Sequence, residues 1–130
     1  MPKILIVEDD NFLRLALEKR LKKEGFEIVT ATNGEEGLQK IITELPDLVL
    51  LDIILPKKTG FGFLEDLKKD PNLKSIPIMI ISQLGQPEDI DKGVSLGAIE
   101  YFVKARISLD DLVARVKKFV EEKRAGSSNG

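Results

Sequence analysis

Short apolar runs alternate along the chain with longer stretches in which apolar residues recur every three or four positions. The strand-like runs are Ile4 to Val7, Glu27 to Ala31, Leu48 to Leu51, Ile76 to Ile81 and Tyr101 to Val103. Leu48, Val49, Leu50 and Leu51 follow one another without alternation, which suits a strand covered on both faces at the centre of a parallel sheet. Between these runs the periodicity is helical. Phe12 to Glu24 places Leu13, Ala16, Leu17 and Leu21 on one face, and a helix capped by Asn33 carries Leu38, Ile41 and Ile42. Phe61 to Lys69 turns Phe63, Leu64 and Leu67 inward, and Pro87 opens a helix reaching about Leu96. Ser108 and Asp111 form a capping-box pattern ahead of a last helix that buries Leu112, Val113, Val116 and Val120. Gly25, Pro46, the Asp70-Pro71-Asn72 break and Gly97 supply the stops.

Five such βα units predict an α/β fold, a doubly wound parallel sheet of five strands with five helices on its two faces. The favoured arrangement is flavodoxin-like, with strand order 2-1-3-4-5. That order makes strands one and three neighbours, so the acids ending each of them meet at the carboxyl edge where ligands collect. The expected domain covers residues 1–123. Residues 124–130, rich in Gly and Ser from Ala125 onward, are expected to be a disordered tail or an appended remnant.

Composition narrows the chemistry. At 130 residues, 42% hydrophobic and 32% charged, the chain has the size and balance of one domain with a sizeable core. It has no cysteine and no histidine, which removes disulfides, thiolate and imidazole metal sites, thiol nucleophiles and the commonest general base. A net charge of -2 lacks the basic excess of a free-standing nucleic-acid binder, so no direct nucleic-acid ligand is expected. No apolar run approaches the ~18 residues of a membrane span, and the run after Lys3 meets an acidic cluster too soon for a signal peptide. No membrane association and a cytoplasmic location are the expectations.

The candidate chemistry lies at strand ends. Glu8 and Asp9 follow the first strand, Asp52 ends the third, Ser82 the fourth and Lys104 the fifth. Each has an ordinary reading taken singly. Glu8 and Asp9 can serve the amino end of the next helix, Asp52 and Ser82 can start turns, and Lys104 can be a solvated charge. Gathered at one rim, three carboxylates repel one another unless a cation sits among them. Oxygen donors alone favour a hard ion, and an open site completed by water suits Mg2+ better than Ca2+.

The run KILIVEDD, the stretch LDIILPKKTG, the strand end MIIS and the segment GAIEYFVKA resemble, in order and spacing, the receiver domains of two-component response regulators. The likeness is closest to single-domain, chemotaxis-type receivers and extends from Lys3 to about Glu122. It implies that Asp52 is the phosphoacceptor, that Asp9 and Asp52 hold Mg2+ directly and Glu8 through water, and that the Ile54 carbonyl is a further metal ligand. Ser82 then matches the switch hydroxyl, Lys104 the phosphate-pairing lysine and Tyr101 the mobile aromatic. The resemblance implies a phosphoacceptor that assists its own phosphorylation and dephosphorylation, not an enzyme in the usual sense. The donor would be a phosphohistidine on a sensor histidine kinase or phosphotransfer protein. The listener would be a downstream protein, met by a monomer or by a dimer formed on phosphorylation. Output would pass through protein contact unless the chain is part of a longer regulator.

Several positions depart from the family pattern. Ala105 stands after Lys104 where many members have proline with a cis bond, and a non-proline cis bond costs roughly 2.5 to 4 kcal/mol, so a trans peptide is expected. Gln83 replaces a small residue and either bonds the phosphoryl group or covers Asp52; Thr59 replaces an acid or amide. In the family, the positions of Ile54 and Leu84 flank the path of water to the phosphoryl group. Both are aliphatic here, which predicts a long-lived phosphorylated state. Other readings remain open on the residues. They are a receiver-shaped interaction module that is never phosphorylated, an FMN-binding flavodoxin-like protein, and an aspartyl-phosphate phosphohydrolase. The flavin reading lacks a hydroxyl- and glycine-rich phosphate loop, and the hydrolase reading lacks an acid at Ile54.

Overall fold

A computed structural model describes the backbone of residues 1–129 and side chains through Ala125. Five strands, β1 (Lys3–Val7), β2 (Glu27–Ala31), β3 (Leu48–Leu51), β4 (Ile78–Ser82) and β5 (Glu100–Val103), alternate with five helices. The helices are α1 (Asn11–Lys23), α2 (Gly34–Glu44), α3 (Gly60–Lys69), α4 (Pro87–Ser95) and α5 (Leu109–Asn129), and a 3-10 turn, Lys104–Arg106, joins β5 to α5. All pairings are parallel and the order is β2-β1-β3-β4-β5, the flavodoxin-like arrangement expected. The expected tail at 124–130 falls mainly where side chains, and at Gly130 the backbone, lie outside the described residues; α5 itself is helical to Asn129.

Two cores explain the unalternating strands. Val49 and Leu51 of β3 face a cluster with Leu5, Val7, Ile41, Phe63, Leu64 and Ile80. Leu48 and Leu50 face the opposite cluster with Ile4, Ile6, Leu17, Leu21, Met79 and Val116. Because both faces of β3 are covered, neither set of alternate positions can be polar, and each buried aliphatic contributes about 1.5 to 3 kcal/mol.

Local signals place most boundaries. Asn33 accepts the Glu36 amide and caps α2, Pro87 begins α4, and Ser108 Oγ accepts the Asp111 amide at 3.0 Å. Three details differ from the sequence reading. Ile42 is exposed; Gly37 lies inward instead, where a Cβ would come within 3.0 to 3.2 Å of Val7 and Phe63. β4 begins at Ile78 because the Ile76 amide is committed to Leu73 O in the preceding turn and Pro77 has no amide proton. The cap of α1 is Asp10, whose Oδ1 accepts from Phe12 and Leu13, while Glu8 Oε2 accepts the Asp10 amide at 3.1 Å.

Candidate functional site

The sheet register brings the predicted residues together. Val7 pairs with Leu51, so Glu8 and Asp52 leave neighbouring strands at the same level, and Ser82 pairs with Val103, which puts Lys104 one residue beyond. The ladder runs slightly past the strands: the Asp52 amide donates to Val7 O and the Glu8 amide to Ala31 O, each at 3.0 Å. Glu8, Asp52 and Ser82 are the polar side chains buried among the described residues, while Asp9 is exposed at the rim. Burying acids at a strand end costs solvation unless charge or hydrogen bonds compensate.

Lys104 provides that compensation. Its Nζ lies 2.9 Å from Glu8 Oε1 and 3.1 Å from Asp52 Oδ2. No cis peptide bond occurs among the described residues, so Lys104 reaches both acids through a trans link to Ala105. Burial alone works to lower the lysine's pKa, but the hydrogen bond it donates to Glu8 and the charge of Asp52 outweigh it and raise it above its ordinary value. Burial pushes the Glu8 carboxyl up to about 7; the Lys104 hydrogen bond opposes this and the charge of Asp52 adds to it. Carboxylate oxygens of Glu8, Asp9 and Asp52 lie within 4.8 Å of one another. With all three ionised and one ammonium beside them, two negative charges remain. An oxygen-only donor set with that excess, one member exposed and able to turn, fits a hard divalent ion such as Mg2+.

The remaining predicted residues border the same site. The Ile54 amide donates to Asp52 Oδ1 at 3.3 Å, folding the start of the β3–α3 loop back over the acid, so the Ile54 backbone stands beside it. Gly60 closes that loop: its amide bonds Ile53 O at 2.8 Å, and a Cβ there would lie 2.4 Å from Asp52 O. Ser82 Oγ accepts the Leu84 amide at 3.2 Å, and the half-buried Tyr101 donates its hydroxyl to Leu84 O at 2.7 Å. Gln83 is exposed, and Thr59 caps α3 through Gly62. The sequence reading missed two contributors. Arg14 Nη1 donates to Glu8 O at 2.9 Å and so anchors the acidic turn, and Arg106 Nη2 donates to Gly85 O at 3.3 Å. Neither contact follows a periodicity; each depends on how a loop folds back.

The sequence profile of the response regulator receiver domain matches residues 4–117. The chain belongs to that family. Among curated relatives, the receiver is 41% identical over 115 residues to the probable transcriptional regulator ycf27 of Guillardia theta, covering 88% of this chain and 44% of that protein. It is 36% identical over 117 residues to the phosphate regulon transcriptional regulatory protein PhoB of Rhizobium meliloti, covering 90% of this chain and 51% of the relative. The chain thus spans about half the length of these relatives. Their names concern transcription, and a further relative, 32% identical over 117 residues, is named a DNA-binding transcriptional regulator, which conflicts with the expectation of no nucleic-acid partner. Among solved structures, a CheY-like receiver domain protein of Methanospirillum hungatei superposes with a TM-score of 0.86 at 28% identity, over 97% of this chain and 98% of that one. The receiver also contains no helix long and apolar enough to cross a membrane among its described residues.

Proposed function

We propose that this receiver accepts a phosphoryl group on Asp52 from a phosphohistidine of a histidine kinase or phosphotransfer protein, and that the new charge switches its surface for a protein partner. The observation that carries the reading is the buried Asp52 carboxylate with the Lys104 ammonium at 3.1 Å, at the carboxyl edge of the sheet. A carboxylate oxygen of Asp52 attacks phosphorus, the new O–P bond forms as the P–N bond to the donor imidazole breaks, and the imidazole leaves with the bonding pair and takes a proton from solvent. The barrier is largely electrostatic, because both nucleophile and phosphoryl group are negative. Lys104, already within reach of Asp52, neutralises a phosphoryl oxygen as it arrives. Asp9, Asp52 and the Ile54 carbonyl, with Glu8 through water, would hold Mg2+, which would supply the rest of the neutralisation when bound.

The donor must bring its imidazole to the rim, so its docking surface has to surround it. Phe12 and Leu15, exposed on α1 next to Asp9 and Asp10, offer apolar contact there. After transfer, Ser82 turns from the Leu84 amide to a phosphoryl oxygen and Tyr101 follows the space vacated, changing the face of α4, β5 and α5. That face meets the downstream protein or a second receiver. The acids of the β1–α1 turn would repel a bound flavin phosphate, which disfavours FMN. Beryllofluoride with Mg2+ tests the proposal. Stoichiometric uptake with amide shifts at Ser82 and Tyr101 is the expected result, and none at any concentration would leave the unphosphorylated interaction module.

A further inference from the structure

The β3–α3 loop, which carries Ile54, lies against the amino end of α2. The Gly34 amide, the first of that helix and without a partner inside it, donates to Pro56 O at 3.4 Å, and Pro56 O also takes the Lys58 amide at 2.7 Å. Lys57 between them stands at φ 67°, a backbone conformation that a residue with a side chain keeps only where its surroundings impose it. The approach is so close that a Cβ on Gly34 would overlap Lys58 O and come within 2.7 Å of Lys58 Cβ. The helix end is the fixed partner. Asn33 Oδ1 accepts the Glu36 amide and Glu36 Oε1 the Thr32 amide, each at 2.9 Å, whereas Pro56 and Lys57 are exposed. A side chain at position 34 therefore displaces the loop, not the helix.

We propose that Gly34 is a positioning residue of the phosphorylation site, which keeps the Ile54 backbone beside Asp52 by leaving room for the loop against α2. The inference rests on Asp52 being the phosphoacceptor and deepens that reading. The Gly60 amide locks the far end of the loop to Ile53 O at 2.8 Å, so a push at Lys58 has to be taken up by residues 54–59. Ile54 is among them. Its amide donates to Asp52 Oδ1 at 3.3 Å, and its carbonyl is the backbone member of the set that would hold Mg2+. Leu55 is buried in the core and the Pro56 ring fixes its φ, which leaves little slack between Lys58 and Ile54 to absorb the displacement. Even a small shift of a ligand-bearing backbone weakens the binding of an ion that demands near-ideal octahedral geometry.

The test compares wild type, Gly34→Ala and Ile41→Val, the last a trim of a core side chain about two turns further along the same helix. Thermal melts, metal-free amide shifts, calorimetric Mg2+ titration and phosphorylation by acetyl phosphate are followed for each. Gly34→Ala is expected to fold, to move the metal-free Ile54 and Lys58 amides, and to bind Mg2+ roughly tenfold more weakly, the low end for a change that lets a metal ligand shift. Its phosphorylation should be slow at limiting Mg2+ and largely recover at saturating Mg2+. Ile41→Val should lower the melting temperature yet keep the wild-type Mg2+ affinity. A loss of affinity shared by both variants would make the role of Gly34 merely structural and overturns the inference. A Gly34→Ala chain that fails to fold overturns it too, because the helix and not the loop has then given way. If wild type gains no phosphoryl group, the phosphoacceptor reading fails and this one with it. If wild type is phosphorylated and Gly34→Ala binds Mg2+ equally well, only the role of Gly34 fails.

Discussion

The Lys104 ammonium stands 3.1 Å from the Asp52 carboxylate and 2.9 Å from that of Glu8, with alanine behind it and a trans peptide between. Reach is therefore set by the end of β5, which the pairing of Ser82 with Val103 fixes, more than by the residue that follows the lysine. Removing the ammonium leaves two buried acids facing each other. Lys104→Ala should lower the melting temperature measured without divalent ions, with Mg2+ restoring much of the loss, since uncompensated buried charge is costly. It should still be phosphorylated by small donors, more slowly, while Tyr101 and its neighbours keep their unphosphorylated shifts. A variant with the wild-type shift pattern would make Lys104 a solvated charge.

Asp9 is the exposed acid of the three, so it adds charge for a cation without supporting a core. Asp9→Asn is expected to weaken Mg2+ binding by an order of magnitude or so, while leaving the melting temperature in metal-free buffer unchanged or slightly raised. Calorimetric titration checks it; an unchanged affinity removes Asp9 from the metal site.

Glu8 carries a pH dependence. Its folded pKa, about 7, lies above the ordinary 4.5, so between those values the native state holds a proton that the unfolded chain has lost. Native stability from this group is therefore greatest at low pH and declines as pH rises through that window, by at most about 1.4 kcal/mol per unit, then levels off. In metal-free buffer the melting temperature of wild type relative to Glu8→Gln should fall from pH 5 to pH 7. Mg2+ competes with the proton, so its affinity should climb over the same range. A flat difference between the two proteins would contradict the assignment.

Much of this was legible because strand ends are legible. The unbroken Leu48 to Leu51 run marks a strand between two cores, and once the order 2-1-3-4-5 is granted, Glu8, Asp52, Ser82 and Lys104 must share a rim. Contacts made by folded-back loops were not legible. Which of Glu8, Asp9 and Asp10 caps α1 depends on a backbone turn, and it is Asp10, in an extended conformation, whose oxygen accepts from Phe12 and Leu13. Ile42 has helical spacing suited to burial, yet Gly37 permits so close an approach of α2 to Val7 and Phe63 that the inward stripe narrows. The pairing of Arg106 with Gly85 spans two loops and leaves no pattern in either.

Ile54 is exposed and Leu84 partly buried, on the two loops bordering Asp52. Neither can hydrogen-bond a water, so neither helps to place one in line with a phosphoryl group. The double variant Ile54→Asn, Leu84→Glu should lose phosphate severalfold faster than wild type in the same Mg2+ buffer. Equal rates would show that access at these positions does not set the lifetime.

Whether Asp52 takes the phosphoryl group is decided by intact-mass spectrometry after incubation with acetyl phosphate and Mg2+. Wild type should gain the mass of one phosphoryl group. Asp52→Ala, with its cores untouched and one buried acid fewer, should remain folded by circular dichroism and gain none. An alanine variant that still acquires a single phosphoryl group, or a wild type that acquires none, would contradict the account.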